Sequence, residues 1–252
     1  MSGSVLRLNT LQLHADANRI QDAKSAADDA KLEICEPVFA ATCAADAVLE
    51  DHEKRNGALV LDLGGGSTGY AAYANGYLVS AGVIGVGGDH VTNDIAHAFQ
   101  TTNAQAESIK LSTAAAEVAP RPGEEPRVHI AGSSSLMDSR TISRRALDTV
   151  VNARLREIFT IIRETLEEQD ILHHLHAGCI LTGGGASRRE IDSLAEKELG
   201  LSVRRGRPIH IDGLEKETNP WSYAAVAGAL LYASRNGDEQ SLLGDLFGRL
   251  FR

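Results

Sequence analysis

The sequence predicts an α/β fold in which buried strands run into glycine-rich turns. Two compact apolar runs, ALVLDL at 58–63 and CILT at 179–182, each end in consecutive glycines, as buried strands that enter tight turns do. Around them lie longer stretches whose apolar residues recur at the spacing of a helix. A chain of 252 residues with 43% apolar side chains is long enough for one large domain or two modest ones.

The N-terminal part predicts helices that flank one short strand. Residues 13–31 are rich in Ala, Asp and Lys and contain few helix breakers, and ATCAADAVLEDHEKR at 41–55 also predicts a helix. LEICEPVF at 32–39 predicts a strand between them. After the first buried strand, Asn75 and Gly76 predict a hairpin turn between two further strands.

The centre and the C-terminal part are predicted to alternate between helices and short strands. Apolar spacing predicts helices over 89–116, with the second starting at Ala104, and one long helix over 142–169. VHIAGSSS predicts a strand and a loop, and LSVRRGRP a short strand. SYAAVAGALLYA predicts a final apolar helix before a polar linker.

Composition excludes several classes of function. The formal charge of -9, from 34 acidic and 25 basic side chains, repels a phosphate backbone and disfavours nucleic acid as a partner. Cys35, Cys43 and Cys179 include no CxxC pair, so neither a disulfide framework nor a zinc site is predicted, and a reducing cytoplasm fits best. The longest apolar stretch, 224–233, is about half of what a bilayer span requires.

The first glycine turn has the chemistry of a phosphate-binding loop. Glycines let backbone amides converge on phosphate oxygens, and a nearby carboxylate can hold hydrated magnesium carried by a nucleotide. An ordinary glycine-rich turn is the alternative, and neither a Walker lysine pattern nor a spaced GxGxxG motif is present. The residues of this turn are Asp62, Gly64, Gly65, Gly66, Ser67 and Thr68.

The second glycine turn comprises Gly183, Gly184 and Gly185 and is followed by Arg188. The sequence predicts a helix directly after this turn, so its amides could face an adenosine or its phosphates. Viewed alone, a structural tight turn explains the motif equally well.

Several motifs taken together resemble one superfamily. They are GALVLDLGGGSTGYAAYANGYL, GVGGDHVTNDIAHAF, AESIK, LHAGCILTGGGAS and RPIHIDGL. In this order they resemble the actin/Hsp70 nucleotide-binding superfamily, and most closely its bacterial cell-division family FtsA, over roughly residues 7 to 233. The resemblance implies an actin-like (ribonuclease H-like) nucleotide-binding lobe with an inserted helical subdomain, which binds ATP with magnesium.

The resemblance also implies roles for particular residues. The first turn matches the second phosphate loop of the family, and the second turn, with Arg188, matches its adenosine side. Glu107 and Lys110, one helical turn apart, match the pair that reaches the ribose and the base; a solvated Glu–Lys pair is the alternative.

By resemblance, the chain divides into four parts. Residues 1–56 correspond to a remnant of the N-terminal lobe, 57–86 with 170–234 to subdomain 2A, and 87–169 to the inserted subdomain 2B. Residues 235–252 correspond to a linker and a C-terminal amphipathic helix. Because the N-terminal lobe that carries the first phosphate loop is largely missing, the resemblance implies at most a weak ATPase.

Residues 241–252 predict an amphipathic helix that lies on a membrane surface, as the resemblance also implies. Two arginines and one aspartate accompany its apolar side, so attachment is expected to be reversible. Docking on the protein's own core or on a partner helix is the alternative. The apolar side consists of Leu242, Leu243, Leu246, Phe247, Leu250 and Phe251.

The long helix carries candidate partner-binding residues. In the family the inserted subdomain receives the C-terminal peptide of the tubulin-like division protein FtsZ, and Arg144, Asn152 and Arg154 match that region. Arginine suits an acidic peptide because it forms bidentate hydrogen bonds with carboxylates. The resemblance further implies filaments of like subunits that tether the FtsZ ring to the cytoplasmic face of the inner membrane at the division septum.

Two alternative functions and one alternative site remain at this stage. DLGGGST also resembles exopolyphosphatase-like phosphohydrolases, in which Asp62 and Ser67 would position water and a terminal phosphate. A pilus-assembly type of actin-like scaffold shares the same lobe. The histidines of HHLHAG at 173–178 lack a carboxylate or cysteine at ligand spacing, which favours a surface loop over a metal site.

Overall fold

A five-stranded mixed sheet, in the order β3-β2-β1-β6-β7, forms the centre of the computed structural model. The structure describes residues 10–34, 36–118, 126–130, 139–209, 211–214 and 216–236. The central strands are β1 (Ala58–Leu63), β2 (Thr68–Ala74), β3 (Tyr77–Ile84), β6 (Gly178–Thr182) and β7 (Val203–Arg205), and a separate hairpin pairs β4 (Arg127–Ile130) with β5 (Arg140–Ser143).

Helices cover both faces of the central sheet. Those described are α1 (Ala17–Asp29), α2 (Ala40–Val48), α3 (Asp51–Asn56), α4 (Gly88–Ala98), α5 (Asn103–Ser112), α6 (Arg144–Glu168), α7 (Ile191–Leu199) and α8 (Ala224–Asn236). Side chains alternate along β1, so its residues contribute to two hydrophobic cores, one on each face of the sheet. Leu59 and Leu61 pack in the core that helices α4 to α7 cover. Ala58 and Val60 pack in the core that α2 and α8 cover.

The second core depends on small residues where α2 and α8 meet. Four alanines of α2 are buried there: Ala41, Ala44, Ala45 and Ala47. A side chain on Gly228 of α8 would collide with the backbone carbonyl of Cys43. The two helices can therefore approach each other this closely only because Gly228 has no Cβ.

The long helix α6 joins the inserted helices to the main core. Its buried side recurs at helical spacing and consists of Leu147, Val151, Leu155, Ile158, Phe159, Ile162 and Leu166. Ser143 caps the helix by accepting a hydrogen bond from the Ala146 amide at 3.3 Å. The cap explains why this helix begins at Arg144 and not at Ile142, which lies in the unpredicted strand β5.

Two other predicted elements are wrong. The run 32–39 forms no strand in its described residues: it lies outside the sheet, and Pro37 cannot donate a backbone hydrogen bond. No α-helix directly follows the second glycine turn. A short 3-10 turn, Gly184–Ser187, comes first, and α7 begins only after Glu190, whose φ is +60°.

The predicted membrane-binding residues Leu242, Leu243, Leu246, Phe247, Leu250 and Phe251 lie outside the described residues. Among the residues that are described, no helix has the length and apolar character needed to cross a bilayer.

Candidate nucleotide site

The two glycine turns lie side by side at one edge of the sheet. β1 and β6 are parallel neighbours, with Asp62 opposite Thr182, so their carboxyl ends meet. A side chain on Gly183 would collide with the Asp62 carboxylate, and a Cβ on Gly185 would lie 2.7 Å from the Leu63 Cβ. The structure thus brings together the two turns that the sequence predicted to form one site.

A third glycine segment, Gly87 and Gly88, packs on the first turn. The Gly88 amide donates to the Gly64 carbonyl at 3.0 Å, and the Asp89 amide donates to the Gly65 carbonyl at 2.9 Å. A Cβ on Gly87 would lie 2.7 Å from the Gly64 oxygen. Sequence reasoning did not assign this segment to the site, although consecutive glycines before a helix were the available signal.

Thr68 fixes the far end of the first turn. Its buried hydroxyl donates to the Val86 carbonyl at 2.9 Å, and the Gly64 amide donates to the Ser67 carbonyl at 3.0 Å. The turn is therefore held in one conformation before any ligand binds, which reduces the entropy cost of binding.

Two glycines of the site have open space where a side chain would project. A Cβ on Gly66 or on Gly184 meets no atom within 4 Å, and neither residue has a positive φ. The fold itself therefore does not require glycine at these positions. Their lack of side chains leaves room for a ligand to approach the backbone.

Asp62 lies near the end of β1, beside Gly183, and its carboxylate has no partner among the described residues. The residue is half-buried, and its side chain makes no hydrogen bond or ion pair with any residue that the structure describes. Burial raises the pKa of the Asp62 carboxyl because desolvation disfavours its charged form. A nearby cation would relieve that cost, so the residue fits the hydrated magnesium of a nucleotide.

Lys110 is buried in a network that holds the third glycine segment. Its Nζ lies 2.6 Å from Glu107 Oε2 and donates to Thr92 Oγ1 at 2.7 Å and to the Gly88 carbonyl at 2.9 Å. Thr92 also donates to Glu107. The pKa of the Glu107 carboxyl lies below its usual value. Burial alone would raise this pKa, but the hydrogen bonds from Lys110 and Thr92 have the larger effect.

Arg188 connects the second glycine turn to α5. Its guanidinium donates to the backbone carbonyl of Lys110. Burial lowers the pKa of Arg188, while the nearby Glu107 carboxylate raises it. Arg188 thus adds a positive charge beside Lys110, where an anionic ligand is stabilised.

These residues form the floor of a site. A cavity of about 40 Å³ lies between the two turns, Lys110 and Arg188, which is the space of about one water molecule. A nucleotide is too large for this cavity and would have to lie across its rim.

The described residues contain no cluster of three or more His, Cys, Asp and Glu side chains that could hold a metal by themselves. At the histidine loop, the rings of His173 and His174 lie 3.9 Å apart, and His173 Nδ1 lies 3.4 Å from Asp170 Oδ1. Any magnesium at Asp62 therefore needs ligands that the nucleotide or water provides.

The predicted partner-binding residues all lie on α6 and are partnered within the chain. Arg144 Nε lies 3.5 Å from Asp148 Oδ2, and the Asn152 side-chain amide donates to the Ala116 carbonyl at 2.7 Å. Arg154 forms a bidentate pair with Asp94, at 2.7 and 3.0 Å, and also contacts Glu157. An acidic ligand has to compete with these carboxylates.

The family described as cell division protein FtsA matches residues 59–228. The chain belongs to the FtsA family. Over 234 residues it is 32% identical to cell division protein FtsA of Pseudomonas aeruginosa, covering 92% of this chain and 55% of that protein. Over 221 residues it is 31% identical to FtsA of Escherichia coli, covering 85% of this chain and 51% of that protein. The chain thus spans about half the length of these FtsA relatives.

Solved structures confirm the predicted actin-like α/β fold. MreB5 of Spiroplasma citri bound to ADP superposes with a TM-score of 0.70 and 19% identity, covering 88% of this chain and 66% of that one. The PilM-PilN type IV pilus biogenesis complex gives a TM-score of 0.63 and 20% identity, covering 84% of this chain and 57% of the matched chain. At these sequence identities the structural similarity shows the fold alone. Membership of the FtsA family does not favour either alternative function, the exopolyphosphatase-like phosphohydrolase or the pilus-assembly type of scaffold.

Proposed function

We propose that this chain binds ATP with magnesium across the two glycine turns. The observation that carries the proposal is the open space beside Gly66 and Gly184, in two turns that meet where the unpaired Asp62 carboxylate contacts Gly183. Solved MreB5 chains with the same fold are described as bound to ADP and to AMPPNP, which supports a nucleotide as the ligand.

Titration calorimetry with ATP tests this proposal in Mg²⁺ and in EDTA. Wild type should bind only with Mg²⁺, and Gly184→Leu should weaken binding by tenfold or more because its side chain fills the open space. Gly184→Ala is the matched control, and it should bind within about twofold of wild type. Equal affinities for the Leu and Ala variants, or binding that ignores Mg²⁺, would contradict the proposal.

We assign the turns and the network around Lys110 to different parts of the nucleotide. The backbone amides of 65–67 suit phosphate oxygens, whereas Gly183 to Gly185, Arg188 and Glu107 suit the adenosine side. Both turns and Arg188 belong to the proposed subdomain formed by 57–86 with 170–234, and Glu107 belongs to the proposed subdomain 87–169. Residues 1–56 and 235–252 belong to neither.

In the cell, we propose that the chain associates with like subunits and tethers an FtsZ-like ring to the cytoplasmic face of the inner membrane at the septum. Membership of a cell-division family supports this role. Arg144, Asn152 and Arg154 are the proposed contacts for the acidic FtsZ-like C-terminal peptide. Because the acidic peptide would be held by these positive charges, its binding should weaken as salt increases. Asp148 and Asp94 already pair with the two arginines and would compete with the peptide.

Fluorescence anisotropy of an FtsZ C-terminal peptide tests the partner site. Arg154→Ala should weaken binding by fivefold or more, and Arg163→Ala on the same helix is the matched control, which should not. Equal losses in both variants would contradict the assignment to Arg154.

Vesicle co-sedimentation tests the membrane site. The full chain should pellet with anionic vesicles, and a chain ending at residue 240 should remain in the supernatant, because the apolar residues of 241–252 are then absent. Equal pelleting of the two chains would rule out this anchor.

A further inference from the structure

The helix α8 has two apolar faces, and described residues cover only one of them. On the covered face, Ala224, Ala227 and Gly228 pack on α2. The other face carries a row of uncharged residues at intervals of three and four positions, the spacing of a seam between packed helices. This α8 stripe, which starts directly before the helix, consists of Tyr223, Val226, Leu230 and Ala233.

The α8 stripe is open to solvent. Tyr223, Val226 and Leu230 are 43%, 63% and 44% exposed, and Ala233 is exposed as well. Single exposed apolar residues are common on protein surfaces, whereas a continuous row of them on one helix face indicates a contact surface. The stripe therefore needs an apolar partner.

Residues 237–252 follow α8 directly and have the sequence of a turn and a second apolar helix. Gly237 is of the type that commonly ends a helix, and Ser241 is a common N-cap. The linker 237–240 falls within the roughly 2–5 residues that join antiparallel helix pairs. These features favour a chain that turns back along α8.

In such a hairpin, residues equally far from the centre of the turn lie side by side. Leu230 is then level with Phe247, and Val226 is level with Phe251. Large apolar side chains thus meet large apolar side chains along the seam. The spacing on the two segments is therefore complementary.

We propose that residues 241–252 dock on the α8 stripe and so shield their own apolar side chains from the membrane. A short linker gives the segment a high effective concentration at the stripe. A second copy of the chain would instead have to approach against a formal charge of -9 on each molecule.

Docking gives the chain a closed form and an open form, and only the open form presents its apolar segment to lipid. Membrane binding then draws on the open population. This consequence rests on the membrane anchor proposed above, whereas the docking itself requires no membrane.

Hydrogen exchange of the full chain without lipid tests the docking. Amides of 241–252 should exchange more slowly in wild type than in Val226→Glu and Leu230→Glu, because a carboxylate in the seam loses its water. Leu111→Glu, at an exposed position on α5, is the matched control and should keep the wild-type protection. Equal exchange of this segment in wild type and both α8 variants would overturn the inference. So would protection that grows with protein concentration, since a second copy would then be the cover.

Vesicle co-sedimentation tests the consequence. On vesicles of phosphatidylglycerol and phosphatidylcholine, Val226→Glu and Leu230→Glu should bind at least about threefold more tightly than wild type, as expected if about two-thirds of the wild-type chains are closed. Leu111→Glu should bind no more tightly than wild type. Added negative charge by itself weakens binding to an anionic vesicle, so a gain has to come from the released segment.

Equal or weaker binding of the two α8 variants would overturn the inference, and weaker binding would mean that the α8 stripe itself touches the membrane. If no chain binds vesicles, the proposed anchor is wrong, and hydrogen exchange still decides whether 241–252 docks on α8. Failure of the anchor and failure of the docking are thus distinguishable.

Discussion

At the scale of single residues, Asp62 combines two properties that do not favour stability. Its carboxylate is half-buried, and no described residue pairs with it. Its pKa in the folded chain is raised from 3.8 because burial desolvates the charge. Residues with such an uncompensated cost are typical of binding sites, where the ligand provides the compensation.

Asp62→Asn should raise the free energy of unfolding at pH 7 by about 0.5–2 kcal/mol while weakening magnesium-dependent ATP binding. The raised folded pKa means that the charge costs nothing below about pH 3.8, where both states are protonated. The gain from Asn should therefore grow as the pH rises from that value through the folded pKa, and then stay constant. Urea unfolding across this pH range measures it.

Asp22→Asn, on the exposed face of α1, is the control and should change the free energy of unfolding little at any pH. A loss of stability in Asp62→Asn at neutral pH would mean that the Asp62 carboxylate has a stabilising partner in the folded chain.

Sequence spacing predicted the Glu107–Lys110 pair but not its surroundings. The two side chains lie one helical turn apart on α5 and do pair. The resemblance implied that Lys110 reaches a ribose or a base, whereas its Nζ is occupied by Thr92 and the Gly88 carbonyl. Those contacts depend on how α4 packs against α5, which no local pattern in the sequence encodes.

At the scale of elements, the glycines of the site differ in purpose. Gly87 lets two loops come together, because its Cβ would lie 2.8 Å from the Ser67 nitrogen and 2.7 Å from the Gly64 oxygen. Gly66 has open space instead. One is required by packing, and the other leaves room for a ligand.

Gly87→Ala should lower the free energy of unfolding by about 1–3 kcal/mol, because the loops must separate to admit the methyl group. Gly66→Ala, which meets no atom, should change it by less than about 0.5 kcal/mol. Chemical unfolding of both variants compares them, and equal effects would show that the loops do not pack as described.

Gly228→Ala tests the contact between α2 and α8. Alanine favours a helix over glycine by about 1 kcal/mol, so helix propensity alone predicts stabilisation. The collision with the Cys43 carbonyl predicts a loss of about 2 kcal/mol or more. A rise in the midpoint temperature of thermal unfolding in Gly228→Ala would show that helix propensity has the larger effect. A fall would show that the packing of α8 on α2 has the larger effect.

The elements that the sequence predicted well are those with a strong local pattern. The hairpin at Asn75 and Gly76 joins β2 to β3, and the apolar pattern of α6 faces the core. The predicted strand at 32–39 failed because a short apolar run becomes a strand only where another strand is available to pair with it. Strand β5 was missed because its partner β4 is a separate segment of the chain, and pairing between two segments is not visible in a local pattern.

At the scale of the whole molecule, the sequence alone did not reveal which strands are neighbours. β1 and β6 are adjacent and parallel although the inserted helices separate them in the chain. Only the order of several motifs, taken together as a family resemblance, predicted that the two glycine turns meet. Pairing between distant segments is a tertiary property that periodicity does not report.

Binding of nucleotide should stabilise the entire lobe. The proposed site draws on segments from both halves of the chain, so ATP should bind only the folded lobe. At 100 times its dissociation constant it should then add about 2.7 kcal/mol to the free energy of unfolding. Thermal unfolding with Mg²⁺ and ATP measures this gain, and Gly184→Leu should show little of it. A gain of equal size in that variant would place the nucleotide elsewhere.

The packing of α8 on α2 also governs how this lobe is made in the cell. Residues 40–48 leave the ribosome long before the helix that covers them, 224–236, is synthesised. Until then, the alanine-rich face of α2 and one side of the nascent sheet have no cover, and are open to chaperones. The lobe therefore completes its folding only after α8 has been synthesised, and a chain cut short before α8 should aggregate.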